Sequence, residues 1–165
     1  VLQVSVETTI AAPPQICFDL ARDVEFHAES LADTQEKILR RPPNRLLALG
    51  DEVEFQGRHL GIRFRLAARI TAVEPACFFQ DQMVSGPFSS FTHDHRFDPI
   101  PQGTLMRDVL RFSAPLGPLG WAAERLFLHR HLRAVLDRRG QAIRLAAEAA
   151  HLHPRNPDDP APVTP

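Results

Sequence analysis

The sequence predicts an α+β fold: a curved antiparallel sheet of seven strands, two short helices and one long C-terminal helix. Apolar residues alternate at period two through most of the chain up to residue 113. Clusters of Pro, Gly, Asn and Ser separate the alternating runs, as turns do. An arginine-rich stretch near the end then switches to helical spacing. No strand–helix–strand repeat of the kind that builds a parallel sheet is present.

Residues 2–10 read as the first strand, with Leu2, Val4, Val6, Thr8 and Ile10 on one face. Pro13-Pro14 then suits a helix start, because proline is tolerated where the N–H has no helical partner. Ile16, Cys17, Leu20 and Ala21 follow at helical spacing, and Asp23 can cap a second short helix that runs to about Leu31. Strands are expected at 34–39, 52–56, 62–73, 77–84, 91–98 and 104–113. Pro118 opens the final helix, which runs to about Ala150 and spans roughly 45 Å. Its apolar side carries Leu128, Leu132, Val135, Leu136, Ile143, Ala146 and Ala150. The arginines are expected mostly elsewhere, and Gly140 is a point of weakness. Residues 1–150 are one ligand-binding domain in this reading, and 151–165 form a Pro-rich tail without core-forming side chains.

Composition narrows the function. The 165 residues are 44% hydrophobic and 24% charged with a net charge of −1, so no global field favours DNA or an anionic membrane. No apolar run reaches the roughly 18 residues of a membrane span, and no integral membrane contact is expected. The opening VLQVSVETTI alternates like a strand and lacks the basic start of a signal peptide. Cys17 and Cys77 make neither a disulfide framework nor a zinc motif, which predicts a reduced, cytoplasmic protein with no cofactor. A homodimer is left open.

A further pattern runs through the strand region: Phe79-x-Asp81-x-Met83-x-x-Gly86-Pro87-Phe88, then His93-x-His95-x-Phe97, Gly103-Thr104, Asp108 and Pro115-Leu116-Gly117. Together with the order of elements over residues 1–150, this resembles the START-like, birch-pollen-allergen-like superfamily, and within it a bacterial polyketide-cyclase-like branch. The resemblance implies a helix-grip fold with a cavity between the sheet and the long helix. It implies no particular reaction.

The residues locate the candidate site. In strand 91–98, Phe91, His93, His95 and Phe97 share the face expected to point inward. In strand 104–113 that face carries Thr104, Met106, Asp108, Leu110 and Phe112. In strand 77–84 either Phe79, Asp81 and Met83 or their neighbours face inward, and the family-like spacing favours the first set. Consecutive antiparallel pairing places Asp81 opposite roughly His95, and His95 opposite roughly Asp108, with His93 beside them. A register slip of two residues keeps the same face. Four readings of this row stand open. It is a polar network that only satisfies itself, or the polar end of a ligand cavity. Alternatively His95 or His93 is a general base oriented by Asp108 or Asp81, or the two histidines and a carboxylate hold a metal, although spacing supplies no clear third ligand.

The expected function is binding of a small hydrophobic or amphipathic molecule. Phe64, Leu66, Met83, Phe88, Phe91, Met106, Leu128 and Leu132 are the apolar walls, and His93, His95 and Asp108 are the polar end. One alternative is a cyclase- or dehydratase-type enzyme using a cavity His/Asp pair. Another is a module acting on a ribosome or partner enzyme through Arg63, Arg65, Arg69, Arg107 and Arg111. Asp94 and Asp98 close by favour a solvated ion ladder on that outer face.

Overall fold

A computed structural model describes residues 1–113 and 127–153. Strand β1 (Leu2–Ile10) leads into helices α1 (Pro14–Arg22) and α2 (Val24–Ser30) and a 3-10 turn (Ala32–Thr34). Six more strands follow: β2 (Lys37–Arg40), β3 (Glu52–His59), β4 (Ile62–Glu74), β5 (Phe78–Ser85), β6 (Ser90–Ile100) and β7 (Gly103–Ser113). Helix α3 (His129–Leu152) is the last described element. The strands form one antiparallel sheet in the order β1-β7-β6-β5-β4-β3-β2, so the two short helices connect its opposite edges. The predicted helix start at Pro118, the Pro115-Leu116-Gly117 motif and the tail beyond residue 153 lie outside the described residues.

Local chemistry explains the helix starts. Pro14 occupies the first turn of α1, where its missing N–H costs nothing. Asp23 caps α2: its Oδ1 accepts the backbone N–H groups of Glu25 and Phe26 at 3.0 and 3.1 Å. The other carboxylate oxygen accepts from Arg45 Nε at 2.6 Å, which pins the long β2–β3 connection to the helix.

Three elements differ from the expectation. The segment predicted as a strand at 34–39 begins with the 3-10 turn, and the strand itself is Lys37–Arg40. Strand β3 does not end at Gln56 but continues to His59. Leu60 and Gly61, with φ of 52° and 81°, make a two-residue turn that keeps the strands paired to the tip. Nor do all the helix arginines face solvent. The buried face of α3 is Val135, Leu136, Arg139, Gly140, Ile143 and Ala147, while Ala150 is exposed.

The core has two parts. Phe18, Phe79, Phe97, Met106, Ile143 and Ala147 belong to the larger cluster under α1, α2 and the second half of α3. Val4, Val6, Leu110, Phe112 and Leu136 form a smaller one, with Leu128 and Leu132 packed against it. Gly140 is also a contact point. A Cβ built there would meet Thr8 Oγ1 of β1 at 2.5 Å, so the missing side chain lets α3 lie against the sheet edge.

This contact sets a test. Ala is favoured over Gly in a helix by about 1 kcal/mol, whereas forcing a methyl into a packed core costs about 1–3 kcal/mol. Gly140→Ala should therefore lower stability in urea unfolding. Adding Thr8→Ala should recover part of the loss, because it removes the obstructing hydroxyl. A Gly140→Ala protein as stable as the parent would mean the helix does not touch β1 there.

Candidate functional site

Between the sheet and α3 lies a cavity of about 530 Å³. Its walls include Phe55, Phe64, Leu66, Phe88, Phe91, Leu110, Leu128, Leu132, Val135 and Leu136. Polar side chains enter it from several elements: His93 from β6, Arg139 and His131 from α3, His27 from α2, Glu36 from the chain before β2 and His59 from the β3 tip.

The residues picked out in the sequence divide accordingly. Phe64, Leu66, Phe88, Phe91, His93, Leu128 and Leu132 line the cavity. Met106 does not; it is fully buried in the larger core cluster. Met83 is also off the wall, half-buried on β5. His95 and Asp108, 2% and 1% exposed, sit behind His93.

The β6–β7 register puts His95 directly opposite Asp108, as expected. The β5–β6 register differs by two residues: Asp81 pairs with His93, and Phe79 with His95. Asp81 still reaches His95 diagonally, because all these side chains share one face. His95 Nε2 donates to Asp81 Oδ2 at 3.1 Å, and Phe79 stacks on the His95 ring at 4.1 Å. Asp108 Oδ1 lies 2.7 Å from His95 Nδ1 and 3.1 Å from His93 Nε2. Arg139 completes the group. Its Nη2 donates to the Ala21 carbonyl at 2.8 Å, and its Nη1 stands 3.8 Å from Asp108 Oδ1.

Burial alone would make both carboxylates harder to ionise, but here their partners prevail. The two imidazoles hold Asp108 far below the ordinary carboxylate range, and Asp81 is lowered by its hydrogen bond to His95 and by the charges nearby. For His95, burial is outweighed by Asp108 and Asp81, and its pKa is raised. Burial wins at His93, helped by the charge of His95, and its pKa is lowered. Adjacent histidines on one strand thus favour opposite protonation states.

Sequence reasoning did not find Arg139, His27, His59, His131 or Glu36. Arg139 had a signal: it falls four residues before Ile143 and three after Leu136 on the apolar side of α3. His59 Nδ1 lies 3.1 Å from His131 Nε2, which joins the β3 tip to the first turn of α3. The outer sheet face carries the expected ion ladder. Arg69 pairs with Glu52, Arg107 with Asp98 and Glu7, and Arg111 with Asp94.

His27 provides a pH test. Its ring stacks on Phe55 at 4.4 Å, and burial, with Arg139 and the two strand histidines nearby, pushes its pKa well below 6.5. The folded protein therefore resists a proton that the unfolded chain accepts. His27 contributes stability above the unfolded pKa of about 6.5, and that contribution is lost as pH falls. Urea unfolding should show stability dropping below pH about 6.5, with a shallower slope in His27→Phe. An identical slope would mean the ring titrates normally.

No protein-family model matches the chain, and no curated protein matches it in sequence. Solved structures do match in shape. The protein TTHA0849 from Thermus thermophilus aligns with a TM-score of 0.70 at 17% identity, covering 88% of this chain and 99% of that one. The KanY protein aligns with a TM-score of 0.70 at 12% identity, covering 89% and 97%. Ginseng major latex-like protein 151 from Panax ginseng aligns with a TM-score of 0.59 at 14% identity, covering 92% and 97%. At these identities the likeness is one of fold. With its sheet order, its long C-terminal helix and these neighbours, the chain has the helix-grip fold of the START-like, birch-pollen-allergen-like proteins.

Proposed function

We propose that the protein binds a small amphipathic molecule in the cavity under α3, with its apolar body against the phenylalanine and leucine walls and an acidic or hydrogen-bond-accepting end at Arg139 and His93. The observation that carries this reading is the cavity itself: about 530 Å³, mostly apolar, with a guanidinium and an imidazole at one place on its wall. Apolar walls select for size and burial, while a few polar groups set orientation. Arg139 is suited to that task. Asp108 and the Ala21 carbonyl hold it in place, and a planar guanidinium can take a carboxylate by two parallel hydrogen bonds. The two free cysteines favour a cytoplasmic setting for this activity.

A second reading rests on His93. It lines the cavity and has Asp108 3.1 Å behind its Nε2, which is the arrangement of an oriented general base in a cyclase- or dehydratase-type enzyme. Turnover lost in His93→Ala with ligand binding retained would favour it over carriage alone.

Binding is tested with a matched pair of probes, dodecanoate and dodecanol, by calorimetry. The acid should bind about tenfold tighter, the scale of one charge-assisted contact. Arg139→Gln should remove that preference, and Leu132→Trp should block both probes by filling the cavity. Equal affinity for acid and alcohol in the parent would refute the role of Arg139. Unchanged binding in Leu132→Trp would place the ligand elsewhere. Native mass spectrometry of the purified protein should also reveal any carried-through molecule.

A further inference from the structure

The buried polar side chains are sorted by direction. Asp81 Oδ2 stands 3.1 Å from His95 Nε2 and 3.9 Å from His93 Nδ1. One ligating atom from each of these three residues lies within 4.8 Å of the other two. The opposite ring nitrogens, His95 Nδ1 and His93 Nε2, both turn to Asp108 Oδ1. Two imidazoles and a carboxylate thus converge on one point, with a second carboxylate behind both rings. A metal-ligating histidine offers one nitrogen to the ion and gives its other N–H to a carboxylate or carbonyl in this way. We propose that Asp81, His93 and His95 form a site for a divalent transition-metal ion of the zinc or cobalt type, with Asp108 as the positioning residue that orients both imidazoles.

Geometry favours the site. Donors held 2.0–2.1 Å from a common tetrahedral ion stand roughly 3.3 Å apart. The Asp81–His95 separation of 3.1 Å is already close to that, and the 3.9 Å to His93 is about half an ångström longer. His-x-His on one strand supplies the pair: the two rings are on the same side with centroids 3.8 Å apart. Two imidazoles with one carboxylate suit zinc, cobalt or iron better than the all-oxygen ions magnesium and calcium.

One further observation concerns the supporting carboxylate. Asp108 Oδ1 and His93 Nε2 are buried, yet neither has a well-aligned hydrogen-bond partner despite their closeness. Buried polar atoms of this kind call for an explanation. A divalent ion would take the place of the proton that His95 Nε2 donates to Asp81, and the proton would leave to solvent. Asp81 is the entry point, because its side chain is 18% exposed while those of His95 and Asp108 are each 2% exposed. The His59–His131 pair does not converge in this way: Glu36 lies 4.0 Å from His59 Nε2, on the nitrogen facing away from His131.

The test titrates the untagged, chelator-treated full chain with Co²⁺ at neutral pH and follows the visible d–d bands. The expected result is one Co²⁺ per chain, displaced by Zn²⁺. Asp81→Asn should abolish the bands, and His59→Gln should leave them intact. Asp108→Asn should weaken binding roughly 10–100-fold, the usual effect of losing such a supporting carboxylate. Because buried variants can fail to fold, imidazole ¹⁵N shifts of the parent protein give a second readout. Zn²⁺ should move His93 Nδ1 and His95 Nε2. Absence of stoichiometric binding, Co²⁺ bands that survive Asp81→Asn in the folded variant, or shifts confined to His59, His131, His151 or His153 would each overturn the proposal.

Discussion

One ionised carboxylate organises this molecule. Asp108 is 1% exposed, and a buried charge costs several kcal/mol unless its surroundings compensate it. The compensation comes from two strands and a helix: His95 and His93 on β6, and Arg139 on α3. Each of these contacts depends on a structural choice made elsewhere. A one-residue slip of β6 on β7 would turn Arg96 inward and both histidines outward. A two-residue slip would set Phe97 or His93 opposite the carboxylate in place of His95. The strand pairing seen here is the one that brings both imidazoles within 3.1 Å of Asp108 Oδ1. Removing one partner from such a buried group costs about 3–5 kcal/mol, enough to select one register among several that the apolar pattern alone would accept.

The same group shapes the interior. On β7, Asp108 lies between Met106 of the larger core cluster and Leu110 of the smaller one. Aliphatic packing is therefore interrupted where the polar side chains meet. Arg139 spans that interruption, reaching from α3 to the Ala21 carbonyl on α1 and toward Asp108 on the sheet. A guanidinium held from both sides acts as a spacer between helix and sheet, and the cavity opens beside it. Polar network and apolar cavity are thus one feature: the groups that satisfy the buried carboxylate also present an imidazole and a guanidinium to whatever occupies the space.

Much of this was legible in the sequence because it follows from period two. The strict alternation of Phe91, His93, His95 and Phe97 against Thr92, Asp94 and Arg96 fixes which residues face inward before any pairing is known. The Asp108 face follows in the same way. Pairing itself was less legible, because the Gly86–Ser89 connection does not determine how far β5 slides along β6. Asp81 consequently lies across from His93 rather than His95. Arg139 was hidden by a general rule, that helix arginines face solvent, although its position between Leu136 and Ile143 places it on the buried side. His59 was hidden by glycine: Gly57 reads as a strand end, yet it sits buried within β3. Glu36 Oε2 would lie 2.3 Å from a Cβ at that position, so the carboxylate fills the room a side chain would need.

The two halves of α3 are held by different physics. Ile143 and Ala147 are fully buried in the larger core cluster, and Gly140 lies against Thr8, so the second half is fixed by close packing. The first half, over the cavity, has Leu136 in the smaller core cluster with Leu132 packed against it, and its outer turns add the His59–His131 contact and Arg138 to Asp33 at 2.9 Å. Exposed ion pairs like Arg138–Asp33 contribute about 0–1 kcal/mol. Burying a large aliphatic side chain contributes about 1.5–3 kcal/mol. Local opening follows the weaker contacts. Among the described residues, the β3–β4 hairpin and the first turns of α3 therefore bound the cavity with weaker contacts than the end held by Arg139. A ligand entering past His59 and His131 would meet apolar walls first and the polar pair His93 and Arg139 last, which matches the order in which an amphipathic molecule sheds its water, tail before head.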